Sequence, residues 1–189
     1  YNNAYASMIG FLNLAVVGLI LSTFTTRFVF PMISLEGRRF WILGLLPVHR
    51  DHIVCSKFLF SFLGGVLPCC VLVLLSDLML GLPRGMIVLH EVCCVILCMG
   101  LSGIAVGLGA RMPDLREASP SKISSGFGGT LSLVMSSLFI MAVVVVAALP
   151  SHVFLATSAI GPGGRLGFLA WVGGPQGAIA SLAIVVALG

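Results

Sequence analysis

The chain has 189 residues, of which 59% are hydrophobic and 8% are charged, and its mean hydropathy is +1.17. These values lie far from those of soluble domains, so the composition excludes a soluble domain and predicts an integral membrane protein. Membrane topology explains the net charge of +4, and no nucleic-acid partner is expected.

Five apolar segments are each long enough to cross about 30 Å of hydrocarbon as a helix. They cover residues 9–26, 58–80, 86–110, 128–149 and 166–188. The predicted fold class is therefore all-α, a polytopic transmembrane helix bundle. Because the chain begins at Tyr1 without a methionine and stops at Gly189 inside or at the end of the last span, we expect residues 1–189 to be one transmembrane domain of a longer protein.

The segment between the first two spans, residues 31–57, is too charged to cross a bilayer and too apolar for a plain solvated loop. Charged residues stand beside Phe40 and Trp41, and Pro47 then interrupts the helical pattern. This composition is typical of an amphipathic helix that docks on lipid headgroups or on a soluble partner.

The basic residues predict the orientation of the chain. Eight of the ten lie in or near residues 27–57 and 111–122, whereas Arg84 and Arg165 fall on the other side. The positive-inside rule places residues 31–57 and 111–122 in the cytoplasm. The turn at 81–85 and the loop at 150–165 are then expected outside.

Three ionisable residues, Asp77, Arg84 and Glu91, are predicted to form a polar cluster at the outer ends of the second and third spans. One interpretation is an outer gate or an ion relay. The favoured interpretation is that Arg84 pairs with Asp77 or Glu91 at the headgroup level and stabilises the turn. His90 stands next to Glu91 in the sequence.

Catalytic and metal-binding patterns are weak. The six cysteines include no C-x-x-C pair, so they are expected to pack as small apolar residues, and no metal site is predicted. Ser102, within Gly100-Leu101-Ser102-Gly103, and the distant His152 superficially resemble the serine and histidine of rhomboid intramembrane proteases. An intramembrane serine protease is accordingly a remote alternative, and a place in a helix seam is the ordinary explanation of Ser102.

Nucleotide binding is not expected within the chain, because neither Lys57 nor Lys122 lies in a G-x-x-x-x-G-K-[ST] run. The prediction is that the chain is not an enzyme and holds no cofactor. In the last span, Gly173, Gly174 and Pro175 predict a kink or a broken helix.

Two stretches carry a resemblance to a known family. The first contains Phe30-Pro31, Ser34-Leu35-Glu36-Gly37, Phe40-Trp41 and Leu46-Pro47 before Lys57. The second contains Gly107-Leu108-Gly109-Ala110, Pro113, Asp114, Glu117 and the run SSGFGG at 124–129. Together, over roughly residues 20–150, they resemble bacterial permeases of the type-2 ATP-binding cassette exporter group.

The resemblance implies a permease subunit of the bacterial plasma membrane that moves its substrate by alternating access. It implies a dimer or pseudo-dimer driven by a separate ATP-binding cassette subunit that holds ATP and magnesium. The coupling contact to that subunit is expected from Glu36, Arg38, Arg39, Phe40, Trp41, Pro47, Arg50 and Asp51. An ion-coupled carrier and a structural membrane subunit remain alternatives, as does an interfacial helix that only anchors the chain in lipid.

Overall fold

The computed structural model describes residues 2–36, 50–113, 119–160 and 175–188, and every regular element in these ranges is helical. The predicted all-α fold is confirmed. The elements are α1 (Asn2–Phe24), a π-helical turn (Thr25–Val29), α2 (Phe30–Glu36), α3 (Arg50–Met79), α4 (Arg84–Arg111), α5 (Pro120–Ser125), α6 (Phe127–Ile160) and α7 (Pro175–Leu188).

Four stretches of these helices are long and apolar enough to cross a membrane. They are Tyr5–Leu35, His52–Met79, Arg84–Arg111 and Phe127–Pro150, and each overlaps one of the first four predicted spans. Of the fifth predicted span, the structure describes α7, which begins at Pro175. Proline suits the first turn of a helix, where its missing N–H would have no intrahelical partner. Gly173 and Gly174 lie outside the described residues.

Two helices extend further than the sequence predicts. The first continues from α1 through the π turn and α2 to Glu36, beyond the expected end of the first span. The last predicted loop is helical over its first part, because α6 passes Pro150 and ends at Ile160. A proline removes one backbone donor from a long helix without obliging it to end.

The described residues fall into two compact units, and each contains parts of several helices. Unit 1 comprises Tyr1–Gly18, Cys69–Leu97 and Ile140–Gly189, and unit 2 comprises Leu19–Pro68 and Cys98–Phe139. Each unit has its own buried apolar side chains. In unit 1 they include Leu14, Val73, Cys93, Val143 and Val185, and in unit 2 Leu21, Val29, Phe30, Leu101 and Ala105.

The core of unit 2 explains three of the motifs that carried the family resemblance. Phe30, which is 1% exposed, lies between glycines of two other helices. A Cβ atom on Gly128 would stand 2.7 Å from Cζ of the Phe30 ring, and one on Gly109 would stand 2.8 Å from the Phe30 carbonyl oxygen. The two glycine motifs therefore leave the space that the Phe30-Pro31 motif fills.

Candidate functional site

The site lies in unit 1 and is built around the turn that joins α3 to α4. The backbone N–H of Leu82 donates to the carbonyl of Asp77 at 3.2 Å, and that of Gly81 donates to Leu78 at 3.2 Å. This pair of bonds is the Schellman motif of a helix C-terminus, and it requires the left-handed conformation that Gly81 adopts, with φ of 65°. The motif fixes Asp77 in the last turn of α3.

Asp77 pairs with His90, which lies on α4. Oδ2 of Asp77 and Nδ1 of His90 are 2.8 Å apart, and both side chains are completely buried. A carboxylate in the last turn of a helix faces the carbonyl end of the helix dipole, so it needs a compensating partner. The imidazole is that partner, and it ties α4 to the end of α3.

Helix α1 packs against the imidazole of His90. The ring of Phe11 meets that of His90 edge to face, with ring centroids 4.6 Å apart. A Cβ atom at Gly10 would stand 2.6 Å from Cε1 of His90, so only glycine allows α1 to approach this closely. Ser7, one turn earlier on the same face of α1, is also buried.

Glu91 completes what we call the acid–imidazole cluster, which consists of Asp77, His90 and Glu91. Glu91 is half-buried and lies beside Cys70 as well as its two cluster neighbours. Three buried atoms of the cluster, Oδ1 of Asp77, Nε2 of His90 and Oε1 of Glu91, have no hydrogen-bond partner among the described residues. Unsatisfied polar atoms are costly in an apolar interior, so the cluster is a candidate for function.

The predicted outer cluster is only partly brought together. Asp77 and Glu91 lie near one another, whereas Arg84 is exposed and the buried partner of Asp77 is His90. His90 is next to Glu91 in the sequence but was not predicted to belong to the cluster. The sequence signal was weak, because Asp77 stands two residues before the end of α3 whereas His90 stands six residues after the start of α4, so equal spacing from the turn does not pair them.

Unit 2 contains a second polar region, which we call the hydroxyl cluster. Its buried members are Ser22, Thr25, Thr26, Ser34, Ser61, Ser102, Ser132 and Ser136. Ser61 on α3 donates to Ser102 on α4 at 3.0 Å, and the hydroxyls of Thr26 and Ser132 are 3.5 Å apart. Hydroxyls that bond between helices are typical of packing inside membrane proteins.

The remaining predicted site residues are placed as follows. Arg38, Arg39, Phe40, Trp41 and Pro47 lie outside the described residues. Glu36, Arg50 and Asp51 belong to helix ends, Glu36 to α2 and the other two to α3, and only their backbones are described. All six cysteines are free thiols, and within the described ranges no three His, Cys, Asp or Glu side chains converge as metal ligands.

Fold and site thus define a helical bundle of the membrane-spanning type with a buried ionisable cluster. The family model described as "Putative ATP-binding cassette" matches residues 1–165, and the chain belongs to this family. No curated protein and no solved structure matches the chain. A relation to ATP-binding cassette transporters is therefore established.

The family description corrects several predictions. It names an ATP-binding cassette and not a permease, so it overturns the assignment to exporter permeases and the permease function derived from it. It gives no support to an ion-coupled carrier, a structural subunit or an intramembrane serine protease. ATP-binding cassettes bind and hydrolyse ATP, which also contradicts the predictions that the chain is not an enzyme and that ATP and magnesium belong to a partner subunit alone.

The residues near the described lysines do not fit ATP. Triphosphate binding in this class uses a glycine-rich loop whose lysine reaches the phosphates and whose serine or threonine reaches magnesium. Lys57 is buried within α3, and Lys122 lies in the six-residue α5. Neither lysine follows such a loop, so the described residues form no triphosphate cradle around a lysine.

Proposed function

We propose that the chain is an integral membrane component of an ATP-binding cassette system. The observation that carries the proposal is the presence, among the described residues of one chain of this family, of four helices long and apolar enough to cross a membrane. The outward side chains of α3 support it, since Phe60, Leu67 and Met79 are 68%, 71% and 81% exposed. Such a surface suits contact with lipid.

Membrane extraction and nucleotide binding together test this proposal. We expect the chain to stay in the membrane pellet after washing at alkaline pH, and the complex purified from that membrane to bind and hydrolyse ATP. Release by the alkaline wash would contradict the membrane assignment. A purified complex that binds no ATP would contradict the role in an ATP-binding cassette system.

We further propose the bacterial plasma membrane as the location, with residues 31–57 and 111–122 in the cytoplasm. The support is the asymmetry of the basic residues and the rule that positive charge stays inside. On this orientation, the turn that contains Gly81 and Arg84 faces the outside.

Thiol labelling tests the orientation, because Cys55 is the exposed one among the native cysteines. A membrane-impermeant maleimide should label Cys55 in inverted vesicles and leave it unlabelled in intact cells. Arg84→Cys, made in a Cys55→Ala background, is the matched control and should show the opposite pattern. Labelling of Cys55 in intact cells would reverse the orientation.

We also propose that residues 31–57 contact another component of the system, with ATP-binding cassette ATPase subunits as partners and a second copy of the chain completing a dimer. Phe40 and Trp41 provide apolar area, and Arg38, Arg39 and Glu36 provide polar contacts. Aromatic residues and arginine are enriched at such interfaces.

Co-purification from native membranes tests the contact. Phe40→Ala combined with Trp41→Ala should release the partner while the chain stays in the membrane. Phe60→Ala, at an exposed position of α3, is the matched aromatic control and should retain the partner. Retention of the partner by the double variant would remove residues 31–57 from the interface.

A further inference from the structure

We propose that the acid–imidazole cluster is a proton-binding site, that His90 Nε2 carries the proton, and that the proton controls how tightly the N-terminal part of α1 packs on this cluster. The proposal starts from four buried polar atoms that lack hydrogen-bond partners within the described part of unit 1. They are Oγ of Ser7, Oδ1 of Asp77, Nε2 of His90 and Oε1 of Glu91. Buried polar atoms left unsatisfied in this way need an explanation, and titratable groups among them make a change of protonation one.

The chemistry of the donor set favours a proton over a metal ion. Protein metal sites generally use three or more converging ligands. Among the described residues no three His, Cys, Asp or Glu side chains converge in that way. A proton needs only one free lone pair, and the lone pair or N–H position at Nε2 of His90 is unoccupied by any described neighbour.

The proton balance of the pair is simple. With His90 neutral, its Nδ1–H donates to the Asp77 carboxylate over 2.8 Å, and the pair carries one negative charge. Uptake of one proton from water adds an N–H at Nε2 and forms an imidazolium. The pair then has no net charge, and Nε2 changes from an acceptor to a donor.

This change takes place one bond away from the ring edge that approaches Gly10 of α1, which is formed by Cε1 and Nδ1. Cε1 lies between the two ring nitrogens, and it is the atom that approaches the Cβ position of Gly10 most closely. Phe11 holds the ring from the same helix. Because burying a neutral pair costs less than burying a net charge, the protonated state should pack α1 more tightly.

Among the described side chains, the other titratable groups around the pair come from two helices. Cys70 on α3 and Glu91 on α4 lie next to it, with Cys94 beside Cys70. The part of α1 that belongs to unit 1 carries no titratable side chain between residues 6 and 18, and α6 carries none between 140 and 150. Glu91 is therefore the competing acceptor for the proton.

The first test is direct observation of the imidazole. The chain has four histidines, and the variant His49→Gln, His52→Gln, His152→Gln leaves His90 as the sole one. In lipid nanodiscs, the 15N resonances of its ring should change from a neutral to a doubly protonated imidazole as pH falls from about 8.5 to about 5. A ring that keeps one protonation state over this range overturns the proposal.

The second test follows α1 by hydrogen exchange in the otherwise native chain. Raising the pH through the His90 transition should increase exchange of residues 6–18 by about tenfold after correction for the intrinsic pH dependence. His90→Gln should abolish this pH response, whereas His52→Gln, at an exposed position of α3, should keep it. Glu91→Gln should also keep it, and a response lost only in Glu91→Gln would overturn the assignment to His90.

Discussion

Both units bury polar groups among apolar helices, but these groups find their hydrogen-bond partners in different ways. In unit 2 the buried polar groups of the described side chains, apart from Lys57, are hydroxyls, which can bond within their own helix, as Thr25 does with the carbonyl of Ser22 at 3.0 Å. In unit 1 they include a carboxylate and an imidazole, each of which has its buried partner on another helix. Burying a hydroxyl in such a bundle therefore costs little folding free energy. Burying a carboxylate and an imidazole requires two helices to pack together, so that each group keeps its partner.

The largest expected effect is the loss of one partner of the charged pair. Asp77→Leu leaves the His90 imidazole buried without its carboxylate, and it should lower the free energy of unfolding by about 3 kcal/mol. Chemical denaturation in mild detergent measures the change. Asp77→Leu combined with His90→Leu should recover much of the loss, because an apolar pair needs no compensation. A double variant as unstable as the single one would show that packing, and not charge pairing, dominates in unit 1.

Gly10→Ala tests the close approach of α1 in unit 1. The added methyl would press on His90, whose ring is held by Asp77, and the expected loss of stability is about 2 kcal/mol. Gly64→Ala is the matched control, because nothing lies within 4 Å of its Cβ position. That substitution should be neutral or slightly stabilising, since alanine favours helix. Equal effects at both glycines would contradict the close contact.

The corresponding test in unit 2 is Gly128→Ala. The methyl would meet the edge of the buried Phe30 ring, and overpacking should cost on the order of 1 kcal/mol. Gly107→Ala serves as the control, because its Cβ position is open. The same denaturation experiment measures both variants. Equal free energies of unfolding for Gly128→Ala and Gly107→Ala would show that the packing of Phe30 does not depend on the space that Gly128 leaves.

The smallest expected effect is in the hydroxyl cluster. Ser61→Ala removes the bond to Ser102, and hydroxyl bonds between membrane helices contribute about 0.6 kcal/mol. Ser56→Ala, whose hydroxyl bonds the carbonyl of Ile53 in its own helix, is the control and should change stability less. A loss of stability as large as that of Asp77→Leu would contradict the expected difference between the polar groups of the two units.

The fold was largely predictable because apolar length is a strong signal. The predicted span 86–110 and the helix Arg84–Arg111 nearly coincide, since a turn with glycine and proline marks its start. The continuation of the first helix to Glu36 was missed because Arg27 suggested a loop. Arg27 is exposed, and a long basic side chain can reach the membrane surface without ending the helix.

The site was less predictable, because partner choice depends on three-dimensional register. Arg84 was the obvious counter-ion for Asp77 by charge, yet the helix faces bring His90 to it instead. The role of Gly10 had no local signal, since glycine is common in membrane helices and the group it accommodates lies on α4.

The π turn makes the packing of Phe30 in unit 2 depend on the number of residues in the turn as well as on their types. The N–H of Phe30 donates to the carbonyl of Thr25, five residues back, so this turn holds one residue more than an α-helical turn would. Deleting one residue in the π turn would rotate the helical residues that follow it by about 100° about the helix axis. Phe30 would then leave its place between Gly109 and Gly128. Side chains at the exposed positions Arg27 and Phe28 are free to vary, but the spacing from Phe24 to Phe30 is not.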